Sequence, residues 1–159
     1  MSLLTIPVLI THLEHVIEGR MTSEELQDWT FNVIAGEVYE YDPAHQAALS
    51  AITFSIDTFD LFLEPQAEFI KTLKLYHHIL KDLPYDQQVG AITIVLNREK
   101  IADILTQVSN GKKDSQYLAV ALQNKGLSPE VIRRLEQHQD TLADIAQALT
   151  SGQLPSTLL

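Results

Sequence analysis

The segment EGRMTSEELQDW, residues 18–29, carries the signals that decide the fold. Gly19 ends an apolar helical run, and the residue three positions later indicates the start of a new helix. Thr22 can cap that helix, and Glu25, three residues further on, completes a capping box. The segment therefore predicts a sharp corner between two helices.

Apolar side chains reinforce the same corner. Met21 lies just before the cap and Leu26 in the first turns of the helix, which is the arrangement of a hydrophobic staple. Trp29, the only tryptophan, follows Leu26 by three residues and shares its face of the helix. We expect Trp29 to anchor the corner and to be mostly buried, with Val33 and Ile34 also turned inward.

Outward from the corner, helix-start and helix-stop signals recur through the first half of the chain. Apolar residues at helical spacing lie between them. The second helix is expected to continue through Gly36, which would allow a bend or a close helix contact. The predicted helices before Leu83-Pro84 cover residues 7–18, 23–39, 43–59 and 65–81.

The second half contains the hardest assignment, the run VGAITIVL at residues 89–96. Its β-branched residues favour a strand, but a helical pattern follows without a break and no partner strand is evident. We predict a helix over 86–108, bent or broken near Asn97, then helices over 114–125 and 128–150.

The fold class is all-α, a bundle of six to seven helices. It forms either one domain or two packed sub-bundles, an acidic bundle of residues 1–83 and a helical region of residues 84–159.

Composition narrows the possible functions. The chain has 159 residues, of which 45% are hydrophobic, and no cysteine, so disulfides and thiolate sites are excluded. The apolar N-terminus lacks a basic region and is too short to span a membrane. We therefore expect a cytoplasmic protein with no membrane association.

The net charge of −10 is unevenly distributed. Residues 1–70 contain twelve acidic residues and one basic residue, whereas residues 71–159 contain nine and ten. Such a surface disfavours nucleic acid and anionic membranes and favours a cationic protein partner, although it also serves solubility. Oligomeric state is left open. The candidate partner-binding residues are Glu24, Glu25, Asp28, Glu37, Glu40 and Asp42.

No catalytic constellation is visible. The chain has no phosphate-binding loop, no Gly-x-Ser-x-Gly nucleophile motif and no dinucleotide fingerprint. Two histidine pairs, His12/His15 and His77/His78, could face each other on two helices, but neither shows the Glu-x-x-His spacing of a bundle metal site. We predict no enzyme, no catalytic residue, no metal and no cofactor. A histidine-based metal site is the third-ranked alternative.

Residues 114–138 offer the main alternative function, a small DNA-binding regulator. The sequence SQYLAVALQNKGLSPEVIRRLEQH is similar to a helix-turn-helix, with Gly126, Ser128 and Ile132 at that family's offsets. The small residue of the first helix is displaced, because Leu122 stands where it should be. Residues 111–136 contain five basic and three acidic residues, a small surplus for phosphate contacts.

The segment LITHLEHVIEGRMTSEELQDW, residues 9–29, resembles the opening of the colicin D-type immunity proteins. The resemblance covers residues 8–80. The last 75 residues of the chain have no counterpart in those proteins. Proteins of that family are small acidic helical bundles that neutralise a basic nuclease by covering its active site. The resemblance implies an immunity-type antagonist, so we predict a non-enzymatic interaction protein with an acidic face for a cationic partner.

Overall fold

The computed structural model describes residues 1–159 and is predominantly helical, which confirms the all-α class. It contains nine α-helices rather than the six or seven expected. None of them has the length and apolar character needed to cross a membrane. The helices are α1 (Ile6–Ile17), α2 (Ser23–Ala35), α3 (Gln46–Thr58), α4 (Gln66–Asp82), α5 (Tyr85–Leu96), α6 (Arg98–Ser109), α7 (Ser115–Asn124), α8 (Pro129–Gln137) and α9 (Leu142–Thr150).

The chain divides into two compact units, residues 1–92 and residues 93–159. We call them the N-terminal unit and the C-terminal unit. The division falls inside α5, whereas the boundary suggested by the sequence, Leu83-Pro84, lies in front of that helix.

In the N-terminal unit, α1 packs on α4 and α2 packs on α3. Two short strands, β1 (Ser2–Leu4) and β2 (Tyr39–Tyr41), pair in parallel with Ser2 opposite Tyr39 and Leu4 opposite Tyr41. The core is built from one apolar stripe on each helix. Its fully enclosed side chains include Leu9, Leu13, Leu26, Leu49, Ile52, Phe69, Leu73, Tyr76 and Ile79.

The predicted extension of the second helix to residue 39 is wrong. Gly36 has φ 74°, a left-handed conformation that suits glycine and ends α2 directly after Ala35. The chain then leaves the helix and continues to β2. Gly36 is therefore a helix stop rather than a bend or a site of close helix contact.

The predicted helix over residues 86–108 with a break near Asn97 is confirmed as α5 and α6. Asn97 lies between the two helices with φ −111° and ψ 14°, and its side-chain Nδ2 donates to the Thr93 carbonyl at 2.9 Å. Ile92 and Val95 are buried, so tertiary packing outweighs the strand preference of their branched side chains.

In the C-terminal unit α6 packs on α9 and α7 packs on α8. The single helix predicted over 128–150 is wrong, because α8 ends at Gln137 and a 3-10 turn, Gln139–Thr141, precedes α9. Thr141 Oγ1 donates to the His138 carbonyl at 2.7 Å, a local bond that competes with continued helix. The core of this unit includes Ile101, Leu105, Leu118, Leu122, Leu135, Leu142, Ile145 and Leu149.

Candidate protein-binding surface

The first group of candidate residues lies at the start of α2. Thr22 Oγ1 accepts from the Glu25 backbone N–H at 3.1 Å, which confirms the predicted cap. Glu24, Glu25 and Asp28 are exposed, and none of them belongs to an ion pair. The amino end of a helix stabilises negative charge, so this position holds carboxylates in water without a basic partner.

Two glutamine side chains fix this end of α2 to its neighbours. Gln27 Nε2 donates to the backbone carbonyls of Ile56 at 3.0 Å and Phe59 at 2.6 Å, where α3 ends. Gln66 Nε2 donates to Ser23 Oγ at 2.5 Å, where α4 begins. The acidic group is therefore carried on a helix end that is tied to two other helices.

The second group follows α2. Glu37 and Glu40 are exposed and unpaired, whereas Asp42 is half-buried. Asp42 Oδ1 accepts from the Ala44 N–H at 3.1 Å and caps the turn Pro43–His45. Asp42 therefore has a structural role.

The six candidate residues do not form one cluster. Glu24 and Asp28 lie near the start of α2 and Glu37 lies beyond its end, and a helix of 13 residues is about 20 Å long. Between these groups α2 exposes Phe31, by 62%, and Ile34, by 39%. The expectation that Ile34 points inward is wrong, because the buried positions of α2 are Ser23, Leu26, Thr30 and Val33.

We call the exposed side chains of Phe31, Ile34 and Phe54 the apolar strip. Beside it lies an apolar groove that the sequence did not predict. It is lined by Ile34, Tyr41, Ser50, Ala51 and Phe54 and has a volume of about 440 Å³. Phe54 lies on α3 and is 60% exposed. The sequence did contain one indication of this surface. Phe31 falls outside the stripe of Leu26, Thr30 and Val33, which places an aromatic ring on a polar face of the helix.

Trp29 is half-buried rather than enclosed in the core, and most of its surface is covered, as expected. Its ring stacks on His12 of α1 with the ring centroids 3.7 Å apart and an interplanar angle of 14°. The ring of Tyr39 meets it edge-on at 5.8 Å. Trp29 thus links α2 to α1 and to β2 from the margin of the core.

The histidines are distributed among separate contacts. His77 Nε2 lies 2.9 Å from Glu14 Oε1 and so connects α4 to α1, while His78 pairs with Asp82. The hydrogen bond from His77 holds the pKa of Glu14 below its ordinary value, and the charge of His77 acts in the same direction. No group of three or more His, Asp or Glu side chains is arranged to hold a metal ion.

The α7–α8 corner has the local features that the sequence predicted. Gly126 has φ 85°, and Ser128 Oγ accepts from the Val131 N–H at 3.2 Å. Ile132 is buried and Arg133 is exposed. Arg134 is half-buried, and its Nε is enclosed without a hydrogen-bond partner, so Arg133 is the freer of the two guanidinium groups.

The fold defines the chain as a predominantly helical protein of the all-α class with two compact units. Comparisons with protein-family models, with curated proteins and with solved structures find no significant match.

Proposed function

We propose that this chain is a non-enzymatic interaction protein whose N-terminal unit binds a cationic protein partner. One observation carries the proposal, namely where the charge lies. Residues 1–92 contain fourteen acidic and four basic residues, so the whole net charge of −10 belongs to the N-terminal unit. The C-terminal unit contains seven of each.

The exposed carboxylates of Glu24, Glu25, Asp28, Glu37 and Glu40 have no ion pair within the chain. Their field is therefore not cancelled locally and attracts positive charge from a distance. Complementary fields accelerate association and exclude partners of the wrong sign more than they add to affinity. Phosphate backbones and anionic lipid surfaces are among the excluded partners.

A specific form of this function is an immunity-type antagonist in the cytoplasm. A nuclease that binds nucleic acid needs a basic surface for the phosphates, and an acidic protein that covers this surface blocks access to the substrate. The resemblance of residues 8–80 to colicin D-type immunity proteins supports this form. A gene for a basic nuclease next to the gene for this chain would add independent support.

A small DNA-binding regulator is the second candidate. Gly126, Ser128 and Ile132 form the corner that such a reader needs, and Arg133 is exposed on the second helix. Seven acidic residues balance the seven basic ones in that unit, so long-range attraction to phosphate is weak. A histidine-based metal site ranks third, because it lacks a group of three ligands.

The test uses three forms of the chain as bait in extracts of its source organism. These are the unmodified chain, the Glu24→Lys/Glu25→Lys/Asp28→Lys variant, and a control with Glu130→Lys/Glu136→Lys/Asp140→Lys. Both variants change the charge by the same amount at exposed positions, but the control changes lie in the C-terminal unit. We expect a basic protein to be retained by the unmodified chain and the control and lost from the first variant.

The purified partner should associate more slowly with the first variant, and its association with the unmodified chain should slow as salt rises from about 50 to 500 mM. Equal loss from both variants would show that only net charge matters and would contradict the proposal. Sequence-selective duplex binding that Arg133→Ala abolishes and the acidic changes leave intact would replace it with the regulator.

A further inference from the structure

The N-terminal unit exposes apolar surface beside its acids. α2 and α3 pack against each other, and each leaves one aromatic ring outside the core, Phe31 on α2 and Phe54 on α3. Core positions of α3, including Leu49, Ile52 and Ile56, lie on the opposite side of that helix from Phe54. Both rings therefore point away from the interior of the unit.

The two helices run antiparallel, which places the exposed rings at the same level. At one end Gln27 of α2 reaches the carbonyls of Ile56 and Phe59. Towards the other end Ile34 shares the groove with Ser50 and Ala51 of α3. Residues 31 and 54 fall between these two levels, so the apolar strip runs along the helix pair.

Acidic residues lie at both ends of the strip. Glu24, Asp28 and Phe31 are spaced by four and three residues and share the outward face of α2. On α3, Asp57 follows Phe54 by three residues. Glu37 lies just beyond Ile34, after the end of α2. Glu40 does not belong to this rim, because it faces away from Tyr41 on β2, and Tyr41 lines the groove.

We propose that the groove between α2 and α3 binds an amphipathic helix of the cationic partner. Its apolar residues, spaced at i, i+3 or i+4 and i+7, would lie on Phe31, Ile34 and Phe54. Its lysines and arginines would flank this face and meet Glu24, Asp28 and Asp57 at one end and Glu37 at the other. This inference rests on the proposed function and specifies where and how that function is carried out.

Charge complementarity identifies the occupant. A second copy of the chain placed on this surface would bring the same carboxylates together, and like charges oppose that contact. An anionic lipid surface is repelled for the same reason. A cationic helix of about the length of α2, 13 residues, satisfies both the apolar strip and the acids at its ends.

Binding of two labelled synthetic peptides, measured by fluorescence anisotropy, tests the inference. One peptide is a 13-residue leucine–lysine helix with all its leucines on one face. The other has the same composition in an order that gives no apolar face. We expect the unmodified chain to bind the amphipathic peptide about tenfold more tightly than the scrambled one.

The variant Phe31→Ser/Phe54→Ser should reduce that preference about tenfold and leave binding of the scrambled peptide unchanged. Phe62→Ser is the matched control, because Phe62 is a fully exposed phenylalanine in the α3–α4 connection outside the groove. It should leave both affinities unchanged. All three rings are largely outside the core, so the variants should retain the circular dichroism and melting temperature of the unmodified chain.

The outcomes separate this inference from the proposed function. Loss of binding in the Glu24→Lys/Glu25→Lys/Asp28→Lys variant, with no effect of the phenylalanine pair, would overturn the groove and leave the acidic surface in place. No effect of either variant would overturn both. An unmodified chain that is dimeric by light scattering, and monomeric after Phe31→Ser/Phe54→Ser, would assign the groove to a second copy instead.

Discussion

The two units of this protein differ in what they leave on the surface. Of the twelve large hydrophobic side chains that are exposed, ten lie in the N-terminal unit and only Leu96 and Val120 in the C-terminal unit. The net charge divides in the same way, with −10 on the first unit and zero on the second. The unit with more uncompensated charge thus also has more uncovered apolar surface.

This difference indicates that the two units have different roles. The C-terminal unit covers most of its large apolar residues with its own helices and contains equal numbers of acidic and basic residues. In the N-terminal unit, Phe31 and Phe54 are mostly exposed, and the neighbouring carboxylates have no ion pair, so folding alone does not account for them. Exposed aromatic residues beside charges are typical of binding surfaces.

The largest expected effect tests the contrast directly. Leu105 is fully buried in the core of the C-terminal unit, so Leu105→Ala removes packed methyl groups and leaves a cavity. We expect it to lower the free energy of unfolding by about 2–5 kcal/mol. Phe54→Ala in the N-terminal unit should change it by no more than about 0.5 kcal/mol. Urea denaturation followed by circular dichroism measures both values.

Val120→Ala provides the control, since Val120 is an exposed apolar residue on α7 of the same unit as Leu105. It should behave like Phe54→Ala. A cost for Phe54→Ala as large as that for Leu105→Ala would mean that the Phe54 ring is packed in solution. The contrast between the two units would then disappear, and with it the apolar strip.

The sequence predicted those parts of the fold that depend on local chemistry. Side-chain oxygens of Thr5, Thr22, Asp114 and Ser128 accept helix-capping hydrogen bonds, and the helices that follow them start within one residue of the predicted positions 7, 23, 114 and 128. These signals involve residues three apart, so no knowledge of tertiary contacts is needed to recognise them.

Features that depend on distant residues were missed. The pairing of β1 with β2 joins residues 37 positions apart through strands of three residues, too short to show a pattern. Ile34 was placed inside because it is apolar, but the orientation of α2 is set by Leu26, Thr30 and Val33 together with α3. The acidic candidates could be named from charge alone. Their separation along α2 follows from the length of that helix, whereas the apolar strip between Glu24 and Glu37 depends on how α3 packs against it.

A second prediction sharpens the description of the N-terminal unit. Trp29 is half-buried, and its principal ring contact is the stack on His12. Trp29→Ala should therefore cost about 2–3 kcal/mol, less than the 3–5 kcal/mol typical of a fully buried aromatic ring. His12→Ala should cost about 0.5–1.5 kcal/mol, the range for one aromatic pair. Chemical denaturation gives both numbers.

Tryptophan emission provides an independent measurement, because Trp29 is the only tryptophan. The native maximum should lie between that of a buried indole and that of the urea-unfolded chain. An emission maximum that does not change on unfolding would show that the corner between α1 and α2 is open in solution, and that the N-terminal unit is looser than its contacts indicate.

The smallest expected effect concerns Glu14, an acid of the N-terminal unit that does have a partner. Its Oε1 lies 2.9 Å from His77 Nε2, and this hydrogen bond holds the pKa of Glu14 below its ordinary value, with the charges of His77, Lys81 and Arg20 acting in the same direction. A carboxyl whose pKa is lower in the folded state binds fewer protons there than in the unfolded state, so it contributes to stability when ionised.

That contribution is complete above the ordinary glutamate pKa of about 4.3 and is lost as the pH falls through the lower value in the folded state. Glu14→Gln removes it, so the unmodified chain should melt at a higher temperature than the variant near pH 7, and the gap should narrow as the pH is lowered towards about 3. His77→Gln should reproduce this behaviour. Glu40→Gln should show no narrowing, because Glu40 is exposed and unpaired. A gap for Glu14→Gln that is constant across the pH range would place Glu14 among the carboxylates without a partner, and α1 and α4 would then be held together by their apolar contacts alone.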